Sequence, residues 1–417
     1  MKTVEIIFKL LLSIIFLIHF SSGEWLPKVV LPEKIIVGYA TWDQCDDKII
    51  RAAEEGVNTI IWFSIDLLHN YTTARPYINR GPDPDCVAQI AKKLRDMNLE
   101  TVHLISIGGW NALHPDTTNT AEQIFIEWKR WNSEVIAKSD LEFSGYDGID
   151  WDIEGTDDVA NERNHFKVET LDLMGKLSLL MKQDGYIVAM APAESYLDPS
   201  TSTFDRSLRH TYSEWDPIVP NFSYRGRNTY GYLLSRYGST VVGTAENGLE
   251  ITEETFDFVT IQLYEGYSHC LYNTSILNQP ASEYIQNIVQ RFHRGWNVEF
   301  SSDPELLWNT TRVQVPSARL VIGLANGWAD NTKFLLLNST EVGLGYKYLE
   351  EIGLAPKGFG FWDIFDEGRA TYRGDVVWLA KELNEIMNIR NSGGKYGIGS
   401  LCLILCGLII FRYFKIC

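Results

Sequence analysis

The sequence predicts a single (β/α)8 barrel of the α/β class, and three observations carry that expectation. Eight short β-branched or apolar runs alternate with helical patterns between residues 24 and 390, as expected of a parallel sheet wrapped by helices. No linker divides this block, whose length suits one elaborate barrel. The turn after the first run also lacks the glycine-rich phosphate loop of an open dinucleotide-binding sheet, because Gly38 is followed by Tyr39, Ala40 and Trp42.

In order, the strand runs are IIVGYA from Ile35, NTIIWFS from Asn58, TVHLISI from Thr101, YDGIDWDIE from Tyr146, YIVAMAP from Tyr186, FDFVTIQLY from Phe256, RLVIGLA from Arg319 and KGFGFWD from Lys357. Helical spacing of apolar residues follows from Cys86 to Leu99, from Ala121 to Leu141, from Ser282 to Trp296 and, after the last strand, from Gly374. A closed barrel places its chemistry at the C-terminal ends of these strands.

Composition narrows the function. With 37 Lys and Arg against 54 Asp and Glu the net charge is −17, which argues against a nucleic-acid partner. A chain that is 45% hydrophobic and 22% charged can form a core. Its 13 Trp, 20 Tyr and 19 Phe suggest a cleft built from flat apolar faces of the kind sugars bind.

The two ends read differently from the middle. Residues 1–23 carry an apolar run and then Ser21, Ser22 and Gly23, a secretory signal peptide with cleavage expected near Gly23. Residues 391–395 form a short linker, 396–414 a transmembrane segment and 415–417 a short tail. The 16 uncharged residues from Tyr396 to Phe411 cover about 24 Å as a helix, against roughly 30 Å of hydrocarbon. Snorkelling of Arg412 makes up the difference. A single-pass type I membrane protein with a lumenal or extracellular barrel is therefore expected, with a glycolipid anchor after Ser392 to Gly394 as the alternative. Cys45, Cys86 and Cys270 fall in the lumenal part, and Cys45 with Cys86 is the expected disulfide. Sequons at Asn70, Asn221, Asn273, Asn309 and Asn338 agree with a glycosylating compartment.

Residues 147–154 read DGIDWDIE, so that Asp150, Asp152 and Glu154 share one face of a strand. Three carboxylates there are costly unless paired, protonated or placed at an open rim. Crowding separates their pKa values and leaves one carboxyl protonated as an acid. A calcium loop is the bland alternative, but its twelfth position is Asn161 rather than Glu, and Trp151 and Ile153 suit a strand.

These residues resemble the chitinase-type glycoside hydrolases of family 18. The family's Asp-x-x-Asp-x-Asp-x-Glu is complete as Asp147, Asp150, Asp152 and Glu154, and its Ser-x-Gly-Gly stands as Ser106, Gly108 and Gly109. Met190, Ala191 and Pro192, Gln262 with Tyr264, and Trp362 extend the match along the chain.

The resemblance implies a retaining hydrolase of β-1,4-linked N-acetylglucosamine polymers, endo-acting and without cofactor or metal. Glu154 would protonate the glycosidic oxygen, while the substrate's own acetamido oxygen attacks the anomeric carbon to give an oxazolinium ion. Asp152 would orient the acetamido N–H, Asp150 would share a proton with Asp152, and Asp147 would be structural. Tyr264 would donate to the acetamido oxygen, Gln262 and Met190 would line the same subsite, and Trp362 would form its floor. Small Gly108 and Gly109 would let the sugar approach. Tyr39, Trp110 and Trp328 follow predicted strands and are candidate sugar platforms.

Two departures from the family touch the subsites: Glu265 follows Tyr264 where many members carry Asp or Asn, and Ala193 intervenes before Glu194. The short stretch between Ala325 and Lys357 leaves no room for an extra lobe, so a shallow cleft is expected, on a monomer. Two other functions fit the same motifs: an endo-β-N-acetylglucosaminidase acting on N-glycan cores, and a silent chitin-binding lectin, although a lectin usually lacks the acid that Glu154 supplies.

Overall fold

The structure, a computed structural model, describes residues 27–41, 45–158, 160–208, 226–245, 247–266, 268–306, 308–331 and 333–389. The leader at 1–23, Asn221, and the linker, span and tail at 391–417 lie outside these residues. No described helix is long and apolar enough to cross a membrane.

Eight parallel strands close on themselves. They are β1 (Ile35–Thr41), β2 (Thr59–Asn70), β3 (Val102–Gly109), β4 (Gly148–Ile153), β5 (Ile187–Met190), β6 (Phe258–Gln262), β7 (Leu320–Ala325) and β8 (Gly358–Trp362). Each pairs with the next, and β8 pairs back to β1 through Ile35↔Gly358 and Val37↔Gly360. All eight coincide with the runs read from the sequence. A helix follows each strand: α1 (Asp47–Glu54), α2 (Pro84–Asp96), α3 (Ala121–Trp131), α4 (Val168–Gln183), α5 (Gly231–Tyr237), α6 (Ala281–Arg294), α7 (Ser339–Glu351) and α8 (Leu379–Met387).

Strand parity sorts the core into two shells. Ile35, Val37, Ile61, Leu104, Ala189, Phe258 and Val321 fill the barrel interior with Tyr39 and Phe63. The alternate residues, among them Ile105, Trp151, Met190, Ile261 and Phe359, pack outward against the helices.

Local chemistry explains the helix boundaries. Asp46 and Asp83 cap α1 and α2 by accepting backbone N–H bonds, and Thr120 with Gln123 forms a capping box on α3. The helical run expected through Leu141 leaves the α form at Trp131, where a π turn spans Asn132–Ile136. Asn132 accepts from Tyr146 N at 2.7 Å and donates to Tyr146 O at 3.0 Å, so its amide is committed to the chain entering β4. The run from Gly374 becomes helical only at Leu379, where the Glu367 carboxylate accepts from Leu379 N and Ala380 N at 3.0 and 3.3 Å.

Cys45 and Cys86 form a disulfide that ties the start of α1 to α2, and Cys270 is free and buried. Two features lie across the N-terminal face of the barrel. Lys28 N donates to Gly185 O at 2.9 Å, just before β5, and Lys34 Nζ donates to Met387 O at 3.2 Å, at the end of α8. Among the described residues between β7 and β8 there is no strand, so no added β lobe rises from that connection.

Candidate active site

The even-numbered side chains of β4 point inward and upward, which puts Asp150, Asp152 and Glu154 at successive heights. A β-carbon at Gly148, below them, would sit 1.9 Å from Ile187 O, so glycine is needed for β4 and β5 to pair there. Asp150 is deepest and wholly buried. Its Oδ2 accepts from the Tyr39 hydroxyl at 3.2 Å and from Ser106 Oγ at 3.4 Å. Burial pushes its pKa up to about 7, and the two hydroxyls soften the shift.

Asp152 accepts from Gln262 Nε2 at 2.9 Å, and the same nitrogen also donates to Ala191 O at 2.7 Å. Asp152 and Glu154 are hydrogen-bonded to each other. Burial raises both pKa values, and the neighbouring charges of Asp150 and Glu265 add to the rise. The two carboxyls lie close enough to share a proton, and burial with crowding keeps the pair partly protonated.

The end of β4 is held from outside the strand ladder. The Tyr230 hydroxyl accepts from Ile153 N at 2.8 Å and donates to Ile153 O at 3.0 Å. The His114 ring bonds the Glu154 carbonyl at 2.9 Å. Burial drives the His114 pKa down to about 4, so this ring is a neutral donor.

Above the ladder opens a cleft of about 350 Å³, lined by Asp152, Glu154, Tyr264, Glu265 and aromatic walls. Trp362 meets Phe63 edge-on at 4.7 Å, and Trp328 Nε1 donates to Trp362 O at 2.6 Å. Tyr264 lies edge-on to Trp328 at 5.9 Å. On the opposite wall Trp110 donates through Nε1 to Asp157 at 3.0 Å. Lys333 and Phe334 complete the rim, and Lys333 holds back the rise to about 7 that burial imposes on Glu265. A larger hollow of about 630 Å³ near Tyr71 and Arg163 contains none of the ladder. Among the described residues no group of three or more His, Cys, Asp or Glu is placed to hold a metal ion.

The structure brings Asp152, Glu154, Tyr264, Trp110, Trp328 and Trp362 together at the cleft. Four expectations need correction. Met190 is fully buried and faces the helices, because parity turns Ala189 and Ala191 inward instead. Tyr39 is no sugar platform: it lies inside the barrel, bonded to Asp150. Gln262 positions Asp152 from beneath, and the cleft lining does not include it.

The glycines serve packing rather than sugar approach. A β-carbon on Gly108 would lie 2.4 Å from Asp152 O, and one on Gly109 2.1 Å from Phe63 Cζ, both at positive φ. Ser106 and Asp147 are structural, the latter accepting from His103 N at 2.8 Å. Phe63, Asp157, Lys333, Phe334, His114 and Tyr230 escaped the sequence reading. Only Phe63, by its parity with Ile61 on a recognised strand, left a signal that could have placed it.

No family model matches the chain, and no curated protein matches it. Among solved structures it is similar to the Legionella pneumophila ChiA C-terminal domain, at 13% identity and a TM-score of 0.49, over 85% of this chain and 98% of that one. It is also similar to a GH18 chitinase from Pseudoalteromonas aurantia, at 12% identity and 0.47, over 85% and 100%. A fungal endo-beta-N-acetylglucosaminidase from glycosyl hydrolase family 18 aligns at 12% identity and 0.45, over 88% and 100%.

Proposed function

We propose that the protein is a retaining, endo-acting hydrolase of β-1,4-linked N-acetylglucosamine polymers, working by substrate-assisted catalysis. One observation carries this reading: Asp152 and Glu154, both with pKa values raised by burial, stand together at a cleft walled by Trp362, Trp110 and Trp328. A carboxyl kept protonated there is a general acid. In the proposed reaction Glu154 protonates the departing glycosidic oxygen as the acetamido oxygen closes on the anomeric carbon. Asp152, ionised beside it, orients the acetamido N–H and balances the charge of the oxazolinium. Tyr264, whose pKa burial holds well above that of a free phenol, donates to the acetamido oxygen, and Trp362 floors the sugar. Water then opens the oxazolinium with Glu154 as base, and the β configuration is kept.

The Cys45–Cys86 disulfide supports an oxidising compartment for the barrel, in line with the leader read from the sequence. The direct test is hydrolysis of chitotetraose and chitopentaose, beside Glu154→Gln, with the fresh product's anomer read by NMR. β-Anomeric product from the wild type alone supports the proposal. Folded wild type that releases nothing from either oligomer refutes it.

A further inference from the structure

A second buried carboxyl lies outside the ladder. Glu194, in the turn after β5, is 1% exposed, and the chemistry above does not use it. Its Oε2 accepts from Cys270 N at 3.0 Å, and its Oε1 is bonded by the Tyr284 hydroxyl from α6. Two residues earlier, Pro192 O accepts from Gln262 N at 3.0 Å. Four residues later, Asp198 meets the His269 ring at 3.2 Å. The stretch after β5 thus grips both ends of the excursion that leaves β6 at Gln262 and returns at Cys270. Between those grips the chain is pinned by Ser268, whose Oγ donates to Leu263 O at 3.0 Å and whose N donates to Glu265 O at 2.9 Å. Tyr264 and Glu265 are carried into the cleft on this excursion.

We propose that Glu194 is a positioning residue for Tyr264, acting through the segment that it and Pro192 clamp at either end. The inference rests on the proposed reaction only for its effect on rate; the clamp itself is a statement about the fold. Buried acceptors of this kind are costly to remove, because both donors are left unpaired. Glutamine at 194 keeps an acceptor for Cys270 N and offers a donor to the Tyr284 oxygen.

The test uses the intact protein and two readouts. Amide hydrogen exchange in Glu194→Ala should quicken about tenfold in peptides covering 262–271, with β1 and β2 unchanged, and Glu194→Gln should restore protection. On chito-oligosaccharides, kcat of Glu194→Ala should fall about tenfold with KM within about twofold. Added to Tyr264→Phe, the same change should cost nothing further. Unchanged exchange in Glu194→Ala, or rate losses that simply multiply with those of Tyr264→Phe, would overturn the proposal. If Glu194→Ala does not fold, Tyr284→Phe removes one partner of the same carboxyl and should give the same pattern more weakly. A wild type without hydrolysis sinks the functional reading, and the exchange result then decides the clamp alone.

Discussion

Gln262 holds Asp152 by donating from one nitrogen to the Asp152 carboxylate at 2.9 Å and to the Ala191 carbonyl at 2.7 Å. The amide joins the inner faces of β4, β5 and β6 beneath the cleft and sets the side from which Asp152 can turn to Glu154.

Replacing Gln262 with Leu should therefore lower kcat by about 100-fold, the usual cost of losing one preorganised donor. Oligosaccharide affinity, measured by calorimetry, should change little, since Gln262 does not line the cleft. A loss confined to KM would assign Gln262 to the substrate instead.

Glu154→Gln should abolish measurable turnover, a loss of at least about 100-fold, while binding persists. With wild type, activity should fall on the alkaline side as the raised pKa of the coupled pair is passed. A pH–rate profile on a chromogenic chito-oligosaccharide reads this limb directly.

Stability should also fall as pH rises. Burial lifts Asp150, Glu194 and Glu367 to about 7 and Asp147 to about 6, against ordinary carboxyl values near 4 in the unfolded chain. Between about pH 4 and 7 these carboxyls hold more protons in the folded state than in the unfolded one, and they outnumber the buried His103 and His114, which burial lowers to about 4 and which act in the opposite sense, so stability declines across that window. Asp198 and Asp303 are lowered, and what they contribute is lost only below it. The melting temperature should be higher at pH 5 than at pH 8, and Asp150→Asn should narrow the difference.

Gly109→Ala should destabilise by about 2 kcal/mol or more, through positive-φ strain and overpacking. Because the new methyl displaces Phe63, sugar binding should weaken along with the melting temperature. An Ala variant with wild-type melting and binding would show that Phe63 can yield.

The barrel was legible because its signal is local. Each strand run is short, apolar and bounded, and Asp150, Asp152 and Glu154 announce a shared face by spacing alone. What escaped depends on contacts between distant segments: Tyr230 reaches Ile153 across 77 positions, and Gln262 reaches Asp152 across 110. No window of sequence contains both partners. Met190 is a different case. Its outward direction follows from the parity of β5, but the motif it belongs to drew it into the site.

The contacts of Lys28 with Gly185 and of Lys34 with Met387 place both ends of the described chain on the floor of the barrel, with the cleft at the opposite pole. Any handle joined to either end, a membrane stalk or a synthetic linker alike, grips the molecule by its base. A copy held on a surface in that way would aim its cleft outward, where an insoluble polymer too bulky to diffuse could still be reached.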